Sequence, residues 1–284
     1  MAKVAIVTDS TAYLPKEYLE KYNITVVPLI VIWGEQTYED GVTIQPDEFY
    51  QRLKTAKVMP STSQVSIYNM QKTFEKLVAE GNDVLGIFIS SKLSGTMQSA
   101  IQGREALGDA KDKVAIFDSN TTAMAMGFQA LAAARAAQSG ESLQNCIKIA
   151  EQARENTGVY FAVDTLEFLH RGGRIGGAQR LLGTALNLKP ILTINDGKVD
   201  AMERIRTKSK AIERVHDIVV EKTAGKSNIR LATLNANAAD EARGLLQRAS
   251  ATVHAVESIE SMVSPVIGTH VGPGTVGLAY MAGI

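Results

Sequence analysis

Short apolar runs alternate along the chain with longer stretches of helical spacing. Lys3–Val7, Asn23–Trp33, Val84–Ile89 and Val114–Phe117 are rich in β-branched residues and read as strands. Lys16–Lys21, Asp47–Leu53, Ile67–Glu80 and Ala123–Ser139 read as helices between and after them, with Pro15 suited to a helix start. Strands that are apolar throughout and separated by helices imply a parallel, doubly wound sheet buried on both faces. After a helix at Ser142–Asn156 and a strand at Gly158–Val163, the pattern changes. Leu188–Ile194 and Val199–Ile205 flank Asn195-Asp196-Gly197-Lys198, a hairpin turn of the Asp-Gly type. Pro190 belongs at a strand start or an edge. Thr207 caps a helix over Lys208–Thr223, which carries Ala211, Ile212, Val215, Ile218 and Val219 on one face. Ile229–Leu234, Thr252–Val256 and Val263–Ile267 read as strands, and Ala238–Ser250 as a helix. The expected fold class is therefore α/β with two α/β domains. Residues 1–156 form a parallel doubly wound sheet and residues 157–284 a mixed sheet.

Composition narrows the function. The chain has 284 residues, 45% of them hydrophobic, enough for a large core or two smaller ones. Thirty basic residues balance 30 acidic ones, so nothing in the net charge favours nucleic acid. No apolar run reaches the ~20 residues of a membrane span, and no signal-peptide core precedes the first strand. The single cysteine, Cys146, lies in a helical segment; it excludes an internal disulfide and fits a reducing cytoplasm.

The candidate chemistry gathers around Ile89–Ala100, I-S-S-K-L-S-G-T-M-Q-S-A. Ser94 stands at an expected helix N-cap, with Gly95 and Thr96 opening the first turn. Two hydroxyls and the unpaired N–H groups of a helix start suit a small anion. Thr8-Asp9-Ser10 and Asp118-Ser119 end two other strands in the same way, and ligands of such sheets bind beyond the carboxyl ends of the strands. Each cluster also serves as a plain helix cap. Further on, Gly172, Gly173, Gly176 and Gly177 surround Arg174, and His270 stands in G-T-H-V-G-P-G. Residue types allow a hydrolytic triad of Ser94, His270 and Asp9, but Ser94 lacks the G-x-S-x-G elbow. No phosphate-loop or dinucleotide spacing follows a strand, and the four histidines show no metal-ligand spacing.

Taken in order, the motifs resemble the DegV family: T-D-S-T-A-Y-L-P at 8–15, P-S-T-S-Q at 60–64, S-S-K-L-S-G-T-M-Q-S-A at 90–100, F-L-H-R-G-G-R-I at 168–175, K-P-I-L at 189–192, R-T at 206–207 and G-T-H-V-G-P-G at 268–274. The resemblance implies a two-domain α/β protein that holds one long-chain fatty acid between its domains and needs no cofactor or metal. It implies a carrier rather than an enzyme: a partner fatty acid kinase subunit phosphorylates the carboxylate to an acyl phosphate for phospholipid synthesis. Transient contact with a membrane surface is compatible with that role. By position, Thr62, Ser94 and His270 match the residues that hold the carboxylate, with Gly95 and Thr96 beside them. Arg174 and Arg206 match arginines tied to the kinase or the acyl phosphate. An esterase or thioesterase using Ser94 and His270 is the alternative. Two departures stand out: Val65 where the family often has Pro, and Ala123-Met124-Ala125-Met126 in place of a Ser-containing segment.

Overall fold

A computed structural model of the protein describes residues 3–183 and 188–284. Its strands are β1 (Val4–Asp9), β2 (Thr25–Val27), β3 (Ile30–Trp33), β4 (Gln36–Glu39), β5 (Ser61–Ser63), β6 (Asp83–Phe88), β7 (Val114–Asp118), β8 (Thr157–Ala162), β9 (Lys189–Asn195), β10 (Lys198–Ile205), β11 (Arg230–Asn235), β12 (Glu257–Ile259) and β13 (Val276–Met281). The α-helices are α1 (Lys16–Tyr22), α2 (Pro46–Leu53), α3 (Ile67–Ala79), α4 (Thr96–Glu105), α5 (Ala123–Gln138), α6 (Leu143–Glu155), α7 (Glu167–Arg171), α8 (Lys208–Thr223), α9 (Ala239–Val253) and α10 (Pro265–Val271). The fold is α/β, with a parallel sheet in the N-terminal half and a mixed sheet in the C-terminal half. The four-stranded parallel sheet has the order β2-β1-β6-β7. The six-stranded sheet has the order β10-β9-β8-β13-β11-β12 and is antiparallel except between β11 and β12. A small antiparallel sheet, β4-β3-β5, lies beside them.

The Ala- and Met-rich helix α5 packs against β1 and β6 of one sheet and β8, β11 and β13 of the other. Its residues are buried almost all round, which fits a helix of small side chains between two layers. One apolar core therefore runs from the parallel sheet into the mixed sheet.

Four segments fold differently from the pattern. Asn23–Trp33, read as one strand, is two strands in different sheets. Pro28 offers no N–H to continue a ladder, and the Leu29 N–H donates to Ser10 Oγ at 3.1 Å as the chain leaves the parallel sheet. Met59–Ser66, whose hydroxyl-rich composition predicts a loop, contains β5, where Thr62 pairs opposite Val31. Its three hydroxyl residues carry no apolar alternation and become a strand only through the ladder to β3. Thr252–Val256 and Val263–Ile267, read as strands, are not: α9 runs to Val253, the strand is Glu257–Ile259, and Pro265 opens helix α10 after Ser264. Short apolar runs fit either state, and Pro at the first helical position decides this one. Pro190 sits at the second residue of β9 and the Asp196-Gly197 turn joins β9 to β10, as expected.

Candidate functional site

A cavity lies between the two main sheets. Its walls are apolar. Leu29, Ile89 and Ala123 come from the N-terminal half, and Phe161, Leu234 and Val266 from the C-terminal half. Polar groups gather at one end: Thr62, Gln64, Ser94, Arg174 and His270. A second hollow, bordered by Thr62, Arg171, Gly172, Arg174 and His270, adjoins that end, so three residues line both spaces.

His270 and Thr62 meet here from distant parts of the chain. His270 is 8% exposed, in the last turn of α10. Asp40 holds the start of that helix, its Oδ1 accepting from the Val266 N–H at 3.1 Å, and Tyr50 donates to the Val263 carbonyl at 3.1 Å. Asp40 directly follows β4, and the same small sheet supplies Thr62 through β5; its Oγ1 lies 2.8 Å from His270 Nε2. Burial, reinforced by the Arg174 charge, pushes the His270 pKa down to about 4, so the ring is neutral at pH 7. Its buried Nδ1 has no partner among the described residues and faces Gly172. With the Nε2–H tautomer, His270 donates to Thr62 and leaves the Thr62 hydroxyl proton free for a ligand.

Ser94 lines the cavity one residue earlier than a cap. The N-cap of α4 is Gly95, and Ser94 Oγ accepts from the Thr96 N–H at 3.3 Å and lies 2.9 Å from Thr96 Oγ1. Thr96 is buried and orients Ser94 rather than lining the cavity. Arg174 borders the polar end, donating through Nε to the Leu93 carbonyl at 3.1 Å and through Nη1 to the Gly172 carbonyl at 2.8 Å. Arg206 lines neither space.

The polar clusters at the strand ends have other duties. Asp9 is buried and accepts from the Thr11 N–H (2.9 Å), the Thr11 hydroxyl (2.6 Å) and the Ile89 N–H (2.8 Å). Burial pushes its carboxyl pKa up, and these bonds oppose the shift. Asp118 accepts from the Ser91 and Asn120 N–H groups, and Ser90 Oγ donates to the Gly197 carbonyl at 2.8 Å. None of these side chains lines the cavity. They fasten the strand ends, so the site lies where the topology predicts while other residues furnish it. Ser94, His270 and Asp9 make no triad, since each is hydrogen-bonded elsewhere. Gln64 carried no mark of function in the sequence beyond its place in P-S-T-S-Q. Among the described residues, no group of three or more acidic, His or Cys side chains is placed to hold a metal, and no helix is long and apolar enough to cross a membrane.

An apolar cavity between two α/β halves, with hydroxyl, amide and guanidinium donors at one end, defines a binding protein for an amphipathic ligand with an anionic head. The comparisons place it more closely. Residues 3–283 match the family model described as "Uncharacterised protein, DegV family". Protein DegV of Bacillus subtilis is 37% identical over 278 residues, 98% of both chains, and a DegV domain-containing protein of Streptomyces coelicolor is 38% identical over 277 residues, 97% of both. The chain belongs to the DegV family. Its fold is similar to that of a Thermus thermophilus DegV family protein described for its fatty acid binding (TM-score 0.93, 35% identity, 99% of both chains). It is also similar to Bacillus subtilis DegV, described as a fatty acid binding protein (TM-score 0.90, 35% identity, 99% of this chain and 100% of that one). A stearic acid-binding protein of Eubacterium ventriosum aligns with a TM-score of 0.89 at 26% identity, over 99% of this chain and 98% of that one.

Proposed function

We propose that this protein binds one long-chain fatty acid in the apolar cavity and presents its carboxylate, at the Thr62–Ser94–His270 end, to a partner kinase that makes the acyl phosphate. The observation that carries this reading is the joining of an apolar cavity to a polar end that adjoins a second hollow. Burying a methylene is worth ~0.8 kcal/mol, so roughly fifteen of them offer on the order of 12 kcal/mol before association costs. An unpaired buried carboxylate costs several kcal/mol, and the hydroxyls of Thr62 and Ser94 offset that by donating to it. Neutral donors leave the carboxylate its nucleophilicity. Arg174, exposed at the rim, meets the charge that phosphorylation adds. The phosphoryl donor and its catalytic machinery belong to the partner, and this chain acts as the carrier.

Native mass spectrometry followed by denaturing extraction tests binding. One fatty acid released per chain is the expected result; an empty protein that also refuses palmitate and oleate removes the reading. Arg174→Ala tests presentation: lipid binding should survive while phosphorylation by an added fatty acid kinase subunit drops, and equal loss of both defeats the assigned role.

A further inference from the structure

The head group of the proposed ligand needs more donors than the motifs supply. A carboxylate offers about four acceptor positions. Thr62 and Ser94 each bring one hydroxyl. His270 brings no direct donor, because its Nε2 is engaged with Thr62 Oγ1 at 2.8 Å and its Nδ1 is turned against Gly172. The ring reaches a ligand only through Thr62. Arg174 has committed Nε and Nη1 to backbone carbonyls, and its exposed Nη2 is left for the phosphoryl charge that the proposed function gives it to meet. Ser63 also borders the cavity, but successive residues of a strand point to opposite faces, which directs its hydroxyl away from that of Thr62.

Gln64 remains. It lines the polar end of the cavity, is exposed, and its side chain makes no hydrogen bond among the described residues. Its amide lies over Gly95: a Cβ added at 95 would stand 2.7 Å from Oε1 and 2.8 Å from both Cδ and Nε2. The Gly95 backbone, at φ −72° and ψ 2°, is open to any residue, and a side chain there would push aside only the end of the flexible Gln64 side chain. The amide therefore rests in a cradle next to Ser94, the other head-group residue, with two N–H donors unspent. We propose that the Gln64 side-chain amide is a direct hydrogen-bond donor to the ligand carboxylate, and that Gly95 serves it by leaving room for the amide to lie against the start of α4. Gly95 thus acts as a positioning residue and touches no ligand. A neutral amide adds a bond to the carboxylate without the charge pairing that would blunt it as a nucleophile. His270 in turn becomes a group that orients Thr62.

This inference rests on the fatty acid reading, and the experiment separates the two. Titrations of palmitate and of hexadecanol, which has the same chain and no carboxylate, are run on wild type, Gln64→Ala, Gly95→Ala and the double variant. Gln64→Ala should weaken palmitate about tenfold and leave hexadecanol within about twofold. Gly95→Ala should weaken palmitate similarly by displacing the amide, and the double variant should lose no more than Gln64→Ala alone, since the two act as one unit. Should Gly95→Ala fail to fold, the palmitate-to-hexadecanol ratio of Gln64→Ala decides alone. Unchanged palmitate binding by Gln64→Ala, equal losses for both ligands, or additive losses in the double variant each overturn the proposal while the fatty acid reading stands. Failure of wild type to bind palmitate overturns both.

Discussion

Gly172 is the most exacting test of the head-group geometry, because a single methyl group there acts on one side chain. Its backbone sits at φ −75° and ψ −6°, where alanine is at ease, so any effect of Gly172→Ala is steric. The added methyl would overlap His270 Nδ1 and stand 2.8 Å from Cε1 and 3.2 Å from the Phe168 carbonyl oxygen. His270 cannot retreat freely, since α10 is pinned by Asp40 and Tyr50. The ring must turn and release Thr62, or α7 must shift. Overpacking of this kind costs about 1–3 kcal/mol, which should appear as a lower urea midpoint with an unchanged m value. Losing the His270–Thr62 bond frees Thr62 from its ligand-facing orientation. A hydrogen bond to a charged group contributes about 1.5–3 kcal/mol, so palmitate should bind roughly 10- to 100-fold more weakly. Gly173→Ala is the control: at φ +69°, with no atom within 4 Å of a new Cβ, it should cost about 1 kcal/mol of stability through backbone strain and leave affinity alone. A Gly172→Ala protein with wild-type stability and wild-type affinity refutes the packing described.

Other consequences follow from the same contacts. Thr62→Val, which keeps the shape and removes the hydroxyl, should leave both ring nitrogens of His270 unpartnered and lower affinity and stability by about 1–3 kcal/mol each, whereas Thr62→Ser restores most of both; equal behaviour of the two variants in the palmitate titration refutes this. His270, held at about 4 against 6.5, makes the unfolded chain the better proton binder between those values, so its contribution to stability rises with pH there by roughly 3 kcal/mol. Asp40, pushed up by burial to about 6 from 3.8, makes the folded chain the better binder, and its contribution falls by a similar amount as pH rises through that window. His270→Gln should therefore tilt the stability profile downward with rising pH, and Asp40→Asn upward, relative to wild type; urea titrations at pH 4.5 and 6.5 that shift both variants alike contradict the assignment. At the hairpin tip, Gly197 at φ +73° is wedged against Ser90 and Asn120, and Lys92 pairs with Asp196 at 2.6 Å. Gly197→Ala should destabilise by more than 2 kcal/mol through strain and overlap together, measured by urea unfolding, while Lys92→Ala at an exposed pair should cost under about 1 kcal/mol; the reverse order would show that the ion pair and not the close fit fastens the hairpin.

Local signals in the sequence determine much of this molecule. Continuous apolar runs make β1 and β6 buried parallel strands, because a strand covered on both faces must be apolar throughout. The Asp196-Gly197 turn specifies the β9–β10 hairpin, and Ser142 and Thr207 cap their helices. The motifs name Thr62, Ser94, Arg174 and His270, and the doubly wound topology points to the carboxyl ends of the strands. What only the tertiary structure decides is which polar groups face the cavity. Asp9, Ser90 and Asp118 carry the strongest local marks of a site and are consumed in holding strand ends together. Thr62 owes its place to a ladder with Val31, a pairing no periodicity announces in three hydroxyl residues. His270 meets Thr62 across 208 residues of chain because Asp40 anchors one end of a short helix. Gln64 and Gly95 are legible only as a pair, since the absence of a side chain has no meaning until the group that fills its space is known. Propensity and pattern act over a few residues, whereas a cavity is bounded by whatever long-range packing brings to its walls.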